Sequence, residues 1–287
     1  MKNSVLAILS FVFLGLIASC KKDGSGQERW LNSNVKQQLY NIPYGPDERH
    51  KLDIWLPKNR SEATLVVVFV HGGAWIIGDK SVFSSVIKKY AENGIAAASI
   101  NYRYANDKKG IHHPELPKDL KLAVDFIASK SDKWKISNSR FGIVGHSAGG
   151  HLILLTAYAF NDGKIKACAS WAGPLDFLDQ EQLAISGAND VFKNYVGTGL
   201  VNANDTLRYK DASPFWQVKA SSVPTLLIYA TKDDGIPYSN PVKMKAKLDS
   251  LSVLNQLITF EGQGHIWTGK TLERAENETL DWFKVRL

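Results

Sequence analysis

Cysteine is scarce in this chain: Cys20 and Cys168 are the only two among 287 residues, so no disulfide framework is available to hold the fold. Cys168 lies in the apolar stretch 165–169, which reads as a buried strand, and no turn presents it as a nucleophile; a small packing side chain is expected there. A metal-ligand pattern is lacking as well. The pair His112-His113 has no carboxylate or cysteine at ligand spacing, so we expect a solvated loop, with no metal and no cofactor. Arginine-rich tracts and nucleic-acid modules are lacking too, and the net charge of +7 is spread along the chain, for example at Lys88, Lys89, Lys108 and Lys109. That pattern describes a solvated basic surface and excludes a nucleic-acid partner. No internal repeat is visible, and an apolar content of 44% against 22% charged residues excludes disorder and leaves room for one large domain.

The apolar run 5–18, preceded by Lys2, is too short to cross a bilayer comfortably and has the layout of a secretory signal. Its end, Ile17-Ala18-Ser19-Cys20, resembles the lipobox of bacterial lipoproteins, in which cleavage before the cysteine leaves that residue lipidated. The resemblance implies a signal peptide at 1–19 and a lipid on Cys20 that ties the protein to a membrane of the cell envelope. A polar, Gly/Ser-bearing tether would occupy 20–38, ahead of a folded domain at 39–287.

Within that domain, 51–56 alternates polar and apolar residues and reads as a half-exposed antiparallel edge strand. By contrast 64–70 is apolar throughout and β-branched, as in a strand buried on both faces of a parallel sheet. Further strands are expected at 95–100, 141–144, 165–171, 225–229 and 256–260. Helices are expected at 83–91, 120–129, 241–251 and 272–285, and another directly after Ser147. Strands alternating with helices define an α/β class with a mostly parallel twisted sheet and helices on both faces. Between about 173 and 223 the alternation breaks into short polar and aromatic pieces, read as a cap insertion over the upper edge of the sheet.

The chemistry centres on Gly145-His146-Ser147-Ala148-Gly149, where an apolar strand gives way to a helix. Gly-x-Ser-x-Gly at such a junction is a nucleophile turn, with Ser147 projecting from the top of the sheet. A serine hydroxyl needs a histidine to take its proton, an acid to orient that histidine, and donors for the oxyanion. Of the two histidines beyond Ser147, His151 lies one helical turn on and cannot easily reach back, so it is assigned to packing. His265, in the loop after strand 256–260, remains as the base. The acid is expected in Thr231-Lys232-Asp233-Asp234, where spacing alone does not separate Asp233 from Asp234. Oxyanion donors are expected from the backbone N–H groups of Ala148, Gly72 and Gly73, the glycines standing in His71-Gly72-Gly73 at the end of strand 64–70.

These motifs, with Ala74-Trp75, Gly78-Asp79-Lys80, Asn101-Tyr102-Arg103 and Ile236-Pro237, resemble α/β-hydrolase esterases of the hormone-sensitive-lipase-like and feruloyl or acetyl-xylan esterase type, a group that also includes kynurenine formamidase-like enzymes. The resemblance spans 51–265 and implies the α/β-hydrolase fold. It selects Asp233 as the acid, because the family acid precedes an x-x-Val/Ile-Pro step. Ala74 replaces a third glycine common in lipase-like members, which points to the feruloyl-esterase and formamidase branch. The implied activity is serine carboxylesterase action on short-chain or aromatic acyl esters, including esters on plant polysaccharide. The alternatives are formamide hydrolysis at the same site and a non-catalytic polysaccharide-binding surface lipoprotein. Trp75 fits either an acyl pocket or packing, and Trp171, Phe177, Tyr195, Phe215 and Trp216 are candidates for an aromatic substrate surface.

Overall fold

The computed structural model describes residues 31–200 and 202–287; the expected signal peptide, Cys20 and the first part of the tether lie outside the described residues. Eight strands run β1 Gln37–Pro43, β2 Lys51–Leu56, β3 Val66–Val70, β4 Ala96–Ile100, β5 Phe141–His146, β6 Ile165–Trp171, β7 Thr225–Ala230 and β8 Asn255–Phe260. Among the described residues they form one sheet in the order β1-β2-β4-β3-β5-β6-β7-β8. The pairs β1/β2 and β2/β4 are antiparallel and every other pair is parallel.

The uninterrupted apolar run of β3 has a simple cause: Val66, Val68 and Val70 pack into one core layer while Val67 and Phe69 pack into the other. All five are fully buried, at about 1.5–3 kcal/mol each relative to exposure. Helices α1 Ser84–Glu92, α2 Glu115–Ser129, α3 Ser131–Trp134, α4 Ala148–Ala159, α5 Gln180–Leu183, α6 Ala188–Val196, α7 Ala203–Asp211, α8 Pro214–Gln217, α9 Ser239–Ser250 and α10 Gly269–Arg286 complete the fold. Helices α2, α4 and α9 supply the core layer that takes Val68, and α1 and α10 supply the one that takes Phe69. The four helices α5 to α8 fall inside the segment read as an insertion.

One expectation is corrected. The strand at 51–56 is antiparallel but is neither an edge nor half-exposed, because β1 covers its outer side and Leu52 to Leu56 are buried. Asp53 sits inside because it is paired: its Oδ2 accepts from Lys80 Nζ at 2.6 Å and its Oδ1 from the N–H of Asn41 at 2.7 Å. Arg60, itself buried, donates to the carbonyls of Val35 at 2.8 Å and Trp134 at 2.6 Å and so ties the entering segment to the fold.

Candidate active site

Strand β5 delivers the chain into a turn at Ser147, whose φ of 55° and ψ of −125° lie outside the helical and extended regions. The turn is held because the Ser147 N–H donates to the carbonyl of Trp171 at 2.8 Å and its own carbonyl accepts from His151 N at 3.0 Å. Only glycine fits at 149, since a β-carbon there would overlap the carbonyl oxygen of Val70 on the neighbouring strand. Helix α4 then runs into the core, with Leu152, Ile153, Leu154 and Leu155 fully buried, and this anchors the turn.

Ser147 Oγ lies 2.9 Å from His265 Nε2, and His265 Nδ1 lies 2.8 Å from Asp233 Oδ2. The other carboxylate oxygen of Asp233 accepts from the N–H groups of Gly235 at 2.8 Å and Ile236 at 2.9 Å, which fixes its direction. The structure thus brings Asp233 to His265, whereas Asp234 faces solvent. With the carboxylate on Nδ1–H, the free lone pair of Nε2 faces the serine hydroxyl, the arrangement that lets an imidazole accept that proton.

The loop after β3 closes the other side. A β-carbon placed on Gly72 would lie 3.0 Å from Ser147 Cβ, so this backbone abuts the serine. Gly73, at φ +108°, opens a tight turn in which its carbonyl accepts from the N–H groups of Ile76 and Ile77, each at 3.0 Å. Ala74 and Trp75 follow at φ 48° and 65°, an unfavourable run for residues with side chains. Ala148 is the first residue of α4, where an N–H has no carbonyl one turn back to bond.

Two chambers meet at Ser147 and His265. The larger, about 630 Å³, is walled by Ile77, Val82, Phe83, Trp171, Trp267 and Leu272; the smaller, about 240 Å³, by Trp75, Gln182, Ile185, Val191, Phe192 and Ile236. Trp75 therefore both lines a chamber and packs, stacked on Tyr195 with ring centroids 4.7 Å apart. Of the other aromatic candidates, Trp171 lines the larger chamber, while Phe177 and Tyr195 are buried in the cap. Phe215 and Trp216 line neither chamber; Lys247 lies over both of their rings.

His151 packs as expected. It is fully buried, with Nε2 on the Ala212 carbonyl at 2.7 Å and Nδ1 accepting from Trp75 Nε1 at 3.3 Å, and burial pushes it down to about 3. Cys168 is likewise buried, which pushes its thiol up to about 12 and removes it as a nucleophile. The expectation of a solvated loop at His112-His113 fails. His113 packs against Tyr195, its Nδ1 3.2 Å from the phenol oxygen, and burial pushes it down to about 4. His112 Nδ1 lies 3.0 Å from the Asn194 carbonyl, so the cap covers both rings. Among the described residues no group of three or more His, Cys, Asp or Glu side chains is placed to hold a metal ion.

Three contributors are not legible in the sequence alone. His146, beside the serine, has Nε2 3.0 Å from the His265 carbonyl and so holds the backbone of that loop; burial pushes it down to about 4. Trp267 and Ile266 follow His265 directly and extend the larger chamber. Their position after the histidine is the available signal, but two apolar side chains on a loop do not reveal which way they face.

The sheet order, the serine at a strand-to-helix turn and the cap between β6 and β7 define an α/β hydrolase. The chain belongs to the BD-FAE family, whose profile matches residues 52–248. It is similar to the esterase LipC of Mycobacterium tuberculosis, 27% identical over 227 residues that cover 74% of this chain and 55% of that protein. It is similar also to a probable isoprenylcysteine alpha-carbonyl methylesterase of Arabidopsis thaliana, 26% identical over 249 residues, 78% of this chain and 50% of that protein. The chain thus spans about half the length of these two relatives. Among solved structures, a truncated form of a carbohydrate esterase from gut microbiota superposes with a TM-score of 0.73 at 22% identity, over 90% of this chain and 99% of that one, a likeness of fold.

Proposed function

We propose that this protein is a serine carboxylesterase that cleaves short-chain or aromatic acyl esters, including those carried by plant polysaccharide. The observation that carries this reading is the run Ser147 Oγ, His265 Nε2, His265 Nδ1, Asp233 Oδ2, linked at 2.9 and 2.8 Å. Ser147 Oγ attacks the ester carbonyl as His265 takes its proton, and Asp233 orients the imidazole and stabilises its charged form. The N–H groups of Gly72, Gly73 and Ala148 receive the developing oxyanion. His265 then hands the proton to the departing alcohol, leaving an acyl group on Ser147 that water removes by the same steps in reverse. The apolar walls of the larger chamber suit an aliphatic or aromatic group next to the scissile bond. Membership of the BD-FAE family, the relatives named as esterases and the carbohydrate esterase of like fold support the reading.

The test is hydrolysis of a panel comprising a chromogenic acetate, methyl ferulate and acetylated xylan, with Ser147→Ala beside the wild type. Turnover of at least one ester, abolished in the variant, is expected; turnover that survives Ser147→Ala refutes the mechanism. The proposal extends to location: a lipid on Cys20 holds the enzyme at the bacterial cell envelope. Support for this comes from the apolar run 5–18 and the sequence Ile17-Ala18-Ser19-Cys20. Incorporation of labelled palmitate, lost in Cys20→Ser, checks it.

A further inference from the structure

We propose that Arg49 is a positioning residue that aims the oxyanion-binding peptide between Gly72 and Gly73. The proposal rests on the ester-cleaving reading above and adds a residue outside the family match at 52–248. Arg49 lies in the connection between β1 and β2. Its guanidinium bonds main-chain carbonyls and an imidazole: Nε donates to the Tyr102 carbonyl at 2.8 Å, and Nη2 donates to the Gly78 carbonyl at 3.2 Å and approaches His71 Nε2 at 3.4 Å. The same group lies 3.6 Å over the ring of Tyr104, whose hydroxyl also donates to the Gly78 carbonyl.

His71 transmits this support. Its Nδ1 is 2.7 Å from the carbonyl oxygen of Gly72, an acceptor, so Nδ1 carries the hydrogen and Nε2 presents its lone pair to Arg49. The ring is held flat on Tyr102, centroids 4.4 Å apart at 19°, and the Tyr102 hydroxyl donates to the His71 carbonyl at 3.0 Å. The Gly72 carbonyl is therefore fixed on the His71 side. In a trans peptide the N–H of the following residue points the opposite way. That N–H belongs to Gly73, which shares the wall of the larger chamber with Ser147. The Gly78 carbonyl, held by Arg49 and Tyr104, pins the far end of the same loop. Arg49 thus touches both the ring that sets the peptide and the end of the turn that carries it.

An oxyanion donor acts only when its direction is fixed in advance, and losing one outright costs about a hundred- to a thousandfold in kcat. Loosening one costs less. For Arg49→Ala we expect kcat on a chromogenic acetate to fall at least about tenfold, with KM within about twofold. Affinity for a trifluoromethyl ketone, whose adduct with Ser147 bears an oxyanion, falls by a similar factor, and millimolar ethylguanidinium restores part of the rate. In Arg49→Lys the single ammonium reaches one acceptor at a time, so the defect persists. The variant is tested for a retained unfolding midpoint and for fluorophosphonate labelling of Ser147. If Arg49→Ala does not fold, Tyr104→Phe, which removes the second donor to Gly78, is expected to shift kcat and ketone affinity together and more weakly.

A folded variant with kcat within about twofold of wild type overturns the proposal, as does a loss confined to KM with ketone affinity kept. A wild-type protein that neither hydrolyses esters nor labels with fluorophosphonate removes the esterase reading. The positioning claim then rests on the amide resonance of Gly73, which must shift in Arg49→Ala; an unmoved resonance sinks it.

Discussion

Asp233 and Asp234 are adjacent and alike in charge, yet only Asp233 reaches His265, because two consecutive N–H groups turn its carboxylate inward. Asp233→Asn is expected to lower kcat about 10⁴-fold by presenting the wrong imidazole tautomer, while Asp234→Asn stays within about twofold. Steady-state hydrolysis of a chromogenic acetate distinguishes them, and equal losses would mean that the acid is shared. Gly149 is a residue whose role is purely spatial. A methyl group there has nowhere to go against Val70, so Gly149→Ala is expected to cost about 1–3 kcal/mol or more of stability, read from urea unfolding. Trp75 resolves differently from how a single residue reads: its indole N–H holds His151 while its face meets Tyr195, so one side chain joins the turn after β3 to α4 and the cap.

At the scale of elements, the polar residues of β2 mislead. Alternation in Lys51 to Leu56 normally signals one wet face, but Asp53 is buried with Lys80, and β1 takes the outer position. Lys80 is tied in further: its N–H donates to Asn101 Oδ1 at 2.7 Å and its carbonyl accepts from Ser99 Oγ at 2.6 Å. The motifs Gly78-Asp79-Lys80 and Asn101-Tyr102-Arg103 thus brace the loop beside Ser147 from behind. Asp53→Asn strands the ammonium of Lys80 and is expected to destabilise by about 3–5 kcal/mol, whereas Asp53→Asn with Lys80→Met, which keeps an oxygen for the Asn41 N–H and removes the charge, is expected to recover most of that loss. Denaturant unfolding of the two variants checks this; equal losses would show that the cost lies in packing and not in the unpaired charge.

For the whole molecule, the buried histidines set the response to acid. Burial pushes His71, His113 and His146 down to about 4 and His151 to about 3, below the ordinary value near 6.5. Between those values the unfolded chain binds protons that the folded chain does not, so stability rises with pH there. It is complete above about 6.5 and is lost progressively as pH falls toward 4. Each tenfold difference in proton affinity between the folded and unfolded chain is worth about 1.4 kcal/mol. Unfolding midpoints taken from pH 7.5 down to 4 are expected to fall steeply. A flat curve over that window would show that these rings are hydrated. Because His71 and His146 flank Ser147 and His265, loss of esterase activity is expected to track this unfolding.

The local sequence determined whatever depends on neighbours along the chain. The apolar β-branched run 64–70 marked a strand buried on both faces, the spacing of two glycines about Ser147 marked the turn, and chain order with elimination left His265 as the candidate base. Residues far apart in sequence decided the rest. Asp53 proved internal only because Lys80 reaches it, and His113 proved covered only because the cap brings Tyr195 down on it. His146 and Arg49 gained roles only once the ends of separate strands stood side by side. A lone charged or aromatic residue carries no record of its partner; that information exists only when the sheet has set the loops around one serine.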